Sequence, residues 1–309
     1  MTLIALASIK GSPGVTTAAT ALAASWPDDR QVLLVEADPF GGDLAPRYCM
    51  APNGGLSSLF AAARRTLVPE DVWAHVDHLP GGLPVLFGLA GMHQATANER
   101  AWPVVADALG ALDADVVVDV GRLLPNLGGG VREVLARADV LAILCQSTLE
   151  AIVHLREALL GLTAELRGRR LAIIPTGTTQ FSAADIARTL QVEVIQPLPD
   201  DPAAAAALAN RRATKRLERT RLLRWAAETI GALGIEGQSP IGSDGLDDLE
   251  APAKADPAEA GPTEVAVSAD AFVSAGPTDL QRPEELSDRP ASAVELAGAT
   301  SGSKWGAGR

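Results

Sequence analysis

The sequence has little cysteine: Cys49 and Cys145 are the only two, far apart and without His or Cys neighbours at metal-ligand spacing. That excludes a disulfide framework, a zinc site or a cysteine-ligated cluster within one chain. The four histidines, His75, His78, His93 and His154, form neither a triad nor a metal group, and His75 and His78 beside Asp77 suit surface chemistry better than ligation. No run of ~18 apolar residues occurs. The apolar start, Met1 to Ile9, has no basic region before it and no small-residue cleavage site. Neither a membrane span nor a leader is therefore expected, and the cytoplasm is the expected compartment.

What is present is enough apolar mass for a full core, 47% of 309 residues. The formal charge of −12 is unevenly spread, because the stretch from Ile235 onward carries 14 acidic against 5 basic residues. That stretch is rich in Ala, Pro, Gly, Ser, Asp and Glu and has no sustained periodicity, so it cannot bury enough surface to offset its ordering entropy. The expected organisation is one domain over 1–234 and a disordered acidic tail over 235–309. Within the tail only Phe272, Val273 and Trp305 could dock, and solvated positions are the simpler expectation for them.

A strand-then-helix rhythm runs through the first part. Apolar runs stand at Leu3 to Ile9, Gln31 to Glu36, Asp115 to Val120, Val140 to Cys145, Leu171 to Pro175 and Val192 to Ile195. Stretches of helical period lie between them, at Thr17 to Ser25, Trp102 to Leu112, Glu150 to Leu166 and Ala183 to Leu190. Near-continuous apolar strands alternating with helices predict an α/β fold, a doubly wound and mainly parallel sheet covered on both faces. Ligands of such sheets gather beyond the carboxyl ends of the strands.

The first strand ends in Lys10-Gly11-Ser12-Pro13-Gly14-Val15-Thr16-Thr17, followed at once by an Ala-rich helix. A glycine-containing loop feeding a helix N-terminus points backbone N–H groups and partial positive charge inward, which makes an anion site. Against the standard phosphate loop G-x-x-x-x-G-K-[ST], Gly14 and Thr16 hold their places, Ile9 replaces the first glycine and Val15 the lysine. A nicotinamide-type dinucleotide site fits less well, since G-x-G-x-x-G is missing although Glu36 stands at a suitable distance.

The segment resembles the deviant Walker A loop of the MinD/ParA ATPases, K-G-G-x-G-K-T-T, at Lys10, Gly11, Gly14, Thr16 and Thr17. Two further segments resemble that family in order and spacing. Val35-Glu36-Ala37-Asp38-Pro39 is similar to its D-x-D-P, and Asp115 to Asp119 to its Walker B strand, with Gly121 and Arg122 where the family has P-A-G. Gly82 to Leu86 and Ala138 to Ile143 extend the likeness more weakly, to roughly 1–234.

The resemblance implies a P-loop fold binding ATP and Mg2+. Gly11 through Thr17 would cradle the phosphates, Thr16, Asp38 and Asp119 would hold the metal shell, and Asp38 would lie near the attacking water. Lys10 would reach the phosphates of the partner subunit in a nucleotide-sandwich homodimer. Pro175 and Thr176 occupy the place where the family contacts adenine. The activity implied is nucleotide-dependent positioning: chromosome or plasmid partitioning, division-site selection, or placement of a pilus or secretion machine. With Val15 at the lysine position, any hydrolysis is expected to be weak, and two other readings stand beside the first: a pseudo-ATPase adaptor that keeps the fold for protein contacts, and a ligase or synthetase of the same superfamily.

One basic stretch stands out in an acidic chain: Arg211, Arg212, Lys215, Arg216, Arg219, Arg221 and Arg224. Leu222, Trp225, Ala226, Ile230 and Leu233 recur at helical spacing behind it, which predicts a final amphipathic helix with its apolar stripe packed inward. Its basic face reads as a solvated surface or as a non-specific DNA phosphate contact. Membrane tethering is disfavoured, because Ser301 to Arg309 is too short and polar for an anchoring helix.

Overall fold

A computed structural model describes residues 1–10, 13–123, 129–162, 169–177, 180–209 and 217–235. Gly11, Ser12, Arg211, Arg212, Lys215, Arg216 and the expected tail from 236 onward lie outside the described residues.

Eight strands form one sheet: β1 (Leu3–Ser8), β2 (Val32–Glu36), β3 (Asp77–His78), β4 (Pro84–Leu86), β5 (Asp115–Arg122), β6 (Val140–Gln146), β7 (Arg170–Thr176) and β8 (Glu193–Val194). The helices are α1 (Val15–Ala24), α2 (Leu44–Arg47), α3 (Leu56–Ala63), α4 (Met92–Ala97), α5 (Trp102–Gly110), α6 (Gly129–Arg137), α7 (Leu149–Gly161), α8 (Ala183–Leu190), α9 (Pro202–Leu208) and α10 (Arg221–Ala232). The spatial order is β3-β4-β2-β5-β1-β6-β7-β8, with every pair parallel except β3 against β4. This is the doubly wound, mainly parallel sheet expected from the rhythm of the sequence. The short strands β3, at the sheet edge, and β4 beside it were missed as a hairpin because they hold too few residues to show a period.

Strand alternation sorts the core into two layers. Ile4, Leu6, Leu34, Val117, Ala142 and Ile174 pack on one face against α1, α9 and α10. Ala5, Ala7, Val35, Val118, Ile143 and Ile173 pack on the other against α3, α5, α6, α7 and α8. In the second layer Phe60 and Trp102 meet edge to face with ring centroids 4.9 Å apart.

The amphipathic stripe foreseen for the last helix is buried: Leu222, Trp225, Ala226, Ile230 and Leu233 all lie in the first layer. Thr220 caps the start of α10, its hydroxyl accepting from the Leu223 N–H at 3.4 Å. At the other end Arg170 donates to the Ala232 and Leu233 carbonyls while it pairs with Glu193. No helix among the described residues is long and apolar enough to cross a membrane.

Candidate functional site

The carboxyl ends of β1, β2 and β5 meet the N-terminus of α1 around a cleft of about 510 Å³. Its lining includes Gly14, Val15, Thr16, Thr17, Asp38, Arg47 and Arg122. Gly14 precedes α1 with φ 102°, a left-handed conformation that glycine adopts without the Cβ penalty. Its carbonyl then accepts from the Ala18 N–H at 2.8 Å, so the loop passes directly into the helix. Pro13 lies on the described side of the loop and is half-buried. The N–H groups of the first helical turn have no partners within the helix, and together they are suited to an anion.

Three acids expected at the site come together, each with a different fate. Asp119 is 3% exposed. Burial pushes its carboxyl up to about 7, against the opposing hydrogen bonds from the Thr16 hydroxyl and the Gly121 N–H, the latter at 2.9 Å. The charges of Glu36 and Asp38 push in the same direction as burial. Asp38 is half-buried and also raised by desolvation, although it accepts from the Phe40 N–H at 2.8 Å. A Cβ on Gly121, whose φ is +68°, would collide with the Asp38 carboxylate. The bare glycine is what lets the acid from β2 come this close to β5.

Glu36 stands opposite Asp119 in the strand register, yet its carboxylate is taken up by the loop that follows β2. It accepts from the Asp43 N–H at 2.7 Å, the Leu44 N–H at 2.9 Å and the Gly88 N–H at 3.2 Å. A Cβ on Gly42 would stand 2.7 Å from Glu36 Oε2, and one on Gly88 would stand 2.9 Å from the Gly42 Cα. Glu36, which stands where the family's D-x-D-P has its first acid, is a buried staple for backbone N–H groups. The glycines at 42 and 88, which flank it in space, were its sequence signal.

Val15 is 7% exposed and packs into the apolar layer beneath α1. Lys10 is exposed and lines a separate recess of about 450 Å³ with Ile9, Arg122, His154 and Glu157, where its charge also acts on Glu150 at the start of α7. Pro175 and Thr176 end β7. Among the described residues the Thr176 hydroxyl and that of neighbouring Ser147 are buried without a hydrogen-bond partner, while the Pro175 carbonyl accepts from the Leu198 N–H at 2.9 Å. Leu198 Cδ2 would stand 3.5 Å from a Cβ on Gly14, so the loop after β8 walls the phosphate loop. That contact was not foreseen, and its signal is a leucine between two prolines beyond the end of a strand. Of the basic stretch, Arg219, Arg221 and Arg224 are described and exposed.

The donor set fits a nucleotide with its divalent cation. A buried carboxyl with no cationic partner among the described residues, a threonine hydroxyl beside it and a second carboxyl across a bare glycine suit an oxygen-seeking ion completed by water and phosphate oxygens. Among the described residues no group of three His, Cys, Asp or Glu side chains could hold a metal unaided, and Mg2+ in such sites does not require one.

Searches of known proteins agree with the geometry at the level of the fold. No family model matches the sequence, and no curated protein matches it. A ParA family ATPase from Chlorobium tepidum superposes with a TM-score of 0.60 at 20% identity, over 74% of this chain and 98% of that one. MinD from Pyrococcus horikoshii, complexed with Mg-ADP, gives 0.59 at 15% identity over 75% and 97%. A substituted McdA from Cyanothece in complex with ATP gives 0.58 at 18% identity over 78% and 99%. The chain therefore has the fold of the MinD/ParA P-loop ATPases.

Proposed function

We propose that this chain, built on the MinD/ParA fold, is a nucleotide-dependent positioning switch that dimerises around ATP and Mg2+. The observation that carries this reading is that Thr16 and Asp38 line one cleft beside the left-handed Gly14, with the buried Asp119 hydrogen-bonded to Thr16. Bound there, the triphosphate and its metal supply the negative and positive charge that the first turn of α1 and the buried carboxyls lack. Thr16, Asp38 and Asp119 would hold the metal shell, with Asp38 near the attacking water. Lys10, turned out of its own cleft towards α7, is placed to act on a second copy. The machine that is placed would be a chromosome, a plasmid, a division site or a pilus or secretion assembly.

Calorimetric titration of the full chain with ATP and Mg2+, followed by light scattering, tests the reading. Micromolar binding and a doubled mass are expected, with Lys10→Ala losing the dimer more than the binding. A mass and melting temperature indifferent to ATP would sink it. That result would favour the adaptor reading, for which the burial of Val15 where a lysine would stand is the specific support. The exposed Arg219, Arg221 and Arg224 would extend the switch to non-specific DNA, and retention on DNA should then fall steeply with salt.

A further inference from the structure

The cleft lacks the loop lysine, yet it is not without cations. Arg47 and Arg122 both line it. Arg47 is already engaged, paired with Asp43 one helical turn away at 2.5 Å. Arg122 is exposed and makes no ion pair among the described residues; its Nε donates to the Ile9 carbonyl at 3.4 Å, which leaves the outer edge of the guanidinium open.

Its position follows from an irregularity in β5. Leu6 is opposite Asp119, but the next residue, Ala7, is opposite Gly121, and Ser8 is opposite Arg122. Val120 is thus an extra residue, a bulge. Residues paired across parallel strands face the same side of a sheet. Leu6 belongs to the layer beneath α1 and Ala7 to the opposite layer. Asp119 therefore faces α1, and after the bulge Arg122 faces α1 as well, although only two residues separate them. Without the bulge the two-residue period would send Arg122 to the far side with Val118 and Val120.

The geometry assigns to Arg122 the role that the lysine plays in a regular phosphate loop: it is the cation that neutralises the phosphates of a nucleoside di- or triphosphate in this cleft. The assignment rests on the nucleotide-binding reading above. A guanidinium presents a planar fork of donors that matches two phosphate oxygens, and it reaches the cleft from the neighbouring strand end instead of from the loop. Because Arg122 also lines the recess that holds Lys10, it stands at the boundary between that recess and the cleft.

The test is calorimetric titration of ATP with Mg2+ into the full-length chain and into R122A, R122K and the double variant V15K/R122A, with thermal melts to verify that each is folded. The natural chain should bind, R122A should bind about tenfold or more weakly, as expected for loss of a hydrogen bond to a charged group, and R122K should lose less. V15K/R122A should recover much of the affinity, since a lysine on the loop restores the missing charge. Affinity in R122A within twofold of the natural chain would overturn the assignment while leaving the nucleotide reading intact. A loss that R122K shares in full and V15K does not recover would mark Arg122 as packing against Ile9 only, and would overturn it too. If the natural chain binds no ATP, the nucleotide reading fails first and takes this assignment with it.

Discussion

β5 carries two aspartates, Asp115 at its first residue and Asp119 towards its carboxyl end, four residues apart and buried at 2% and 3% exposure. Burial is the largest influence on both carboxyls and acts to raise both. At Asp115 it is outweighed: Arg30 donates through Nε and Nη2 at 2.6 Å each, Trp26 through Nε1 at 2.9 Å and the Thr2 N–H at 2.7 Å, and the carboxyl ends below its ordinary range. At Asp119 no cation answers among the described residues, only a hydroxyl and one N–H, and the carboxyl is held up to about 7. Depth in the sheet is therefore not what separates a structural acid from a functional one. A buried acid whose charge is fully answered by its own chain closes the fold, and one left unanswered keeps its capacity for a ligand.

Asp115→Ala should break the comparison on its structural side with the largest effect. It strands Arg30 and the Trp26 N–H, and a loss of about 3 to 5 kcal/mol is expected in urea unfolding. Asp119→Asn should act with the opposite sign. An unfolded aspartate loses its proton near pH 4, whereas the folded Asp119 keeps it to about 7. Between those values the folded state binds more protons, so this group's contribution falls as pH rises through the window. A rise of three pKa units corresponds to about 4 kcal/mol at most. With the new amide needing partners of its own, the variant should gain about 2 to 3 kcal/mol at pH 8. Denaturation at pH 5, where the natural residue is already protonated, should show almost none of that gain, and an equal gain at both values would mean that Asp119 is not held protonated. For Asp115 the sign is reversed: its stabilisation is complete above about pH 4 and disappears as pH falls through its lowered folded value.

The sheet was legible because each central strand is a near-continuous apolar run bounded by turn residues or charge, and β1, β2, β5, β6 and β7 appear within two residues of the expected limits. The site was legible as three motifs in order, since Gly14, Thr16, Asp38 and Asp119 carry spacings that chance seldom produces together. What stayed hidden depends on tertiary neighbours. The motif singles out Asp119, but the sequence alone does not show how Asp115 is satisfied, because that depends on Arg30 and Trp26, which sit on a different segment. Nor does it reveal that Glu36 binds backbone N–H groups, or that a bulge at Val120 turns Arg122 towards α1. A period-two reading of β5 places Arg122 on the wrong face.

Gly121 offers the finest way to sharpen the contrast, because it touches the unanswered end of β5 without altering a charge. Its φ of +68° is tolerated by alanine at modest cost, but the added methyl would displace the Asp38 carboxylate. Gly121→Ala should therefore cost about 1 to 3 kcal/mol of stability, less than the loss at Asp115. Its effect on Mg2+-dependent nucleotide affinity should be disproportionate, since Asp38 can no longer approach Asp119 and Thr16. A stability loss accompanied by unchanged Mg2+ dependence would show that the closeness of Asp38 to β5 serves packing alone. If the variant folds and loses the metal dependence, then the bare glycine is what joins two strand-end acids into one site.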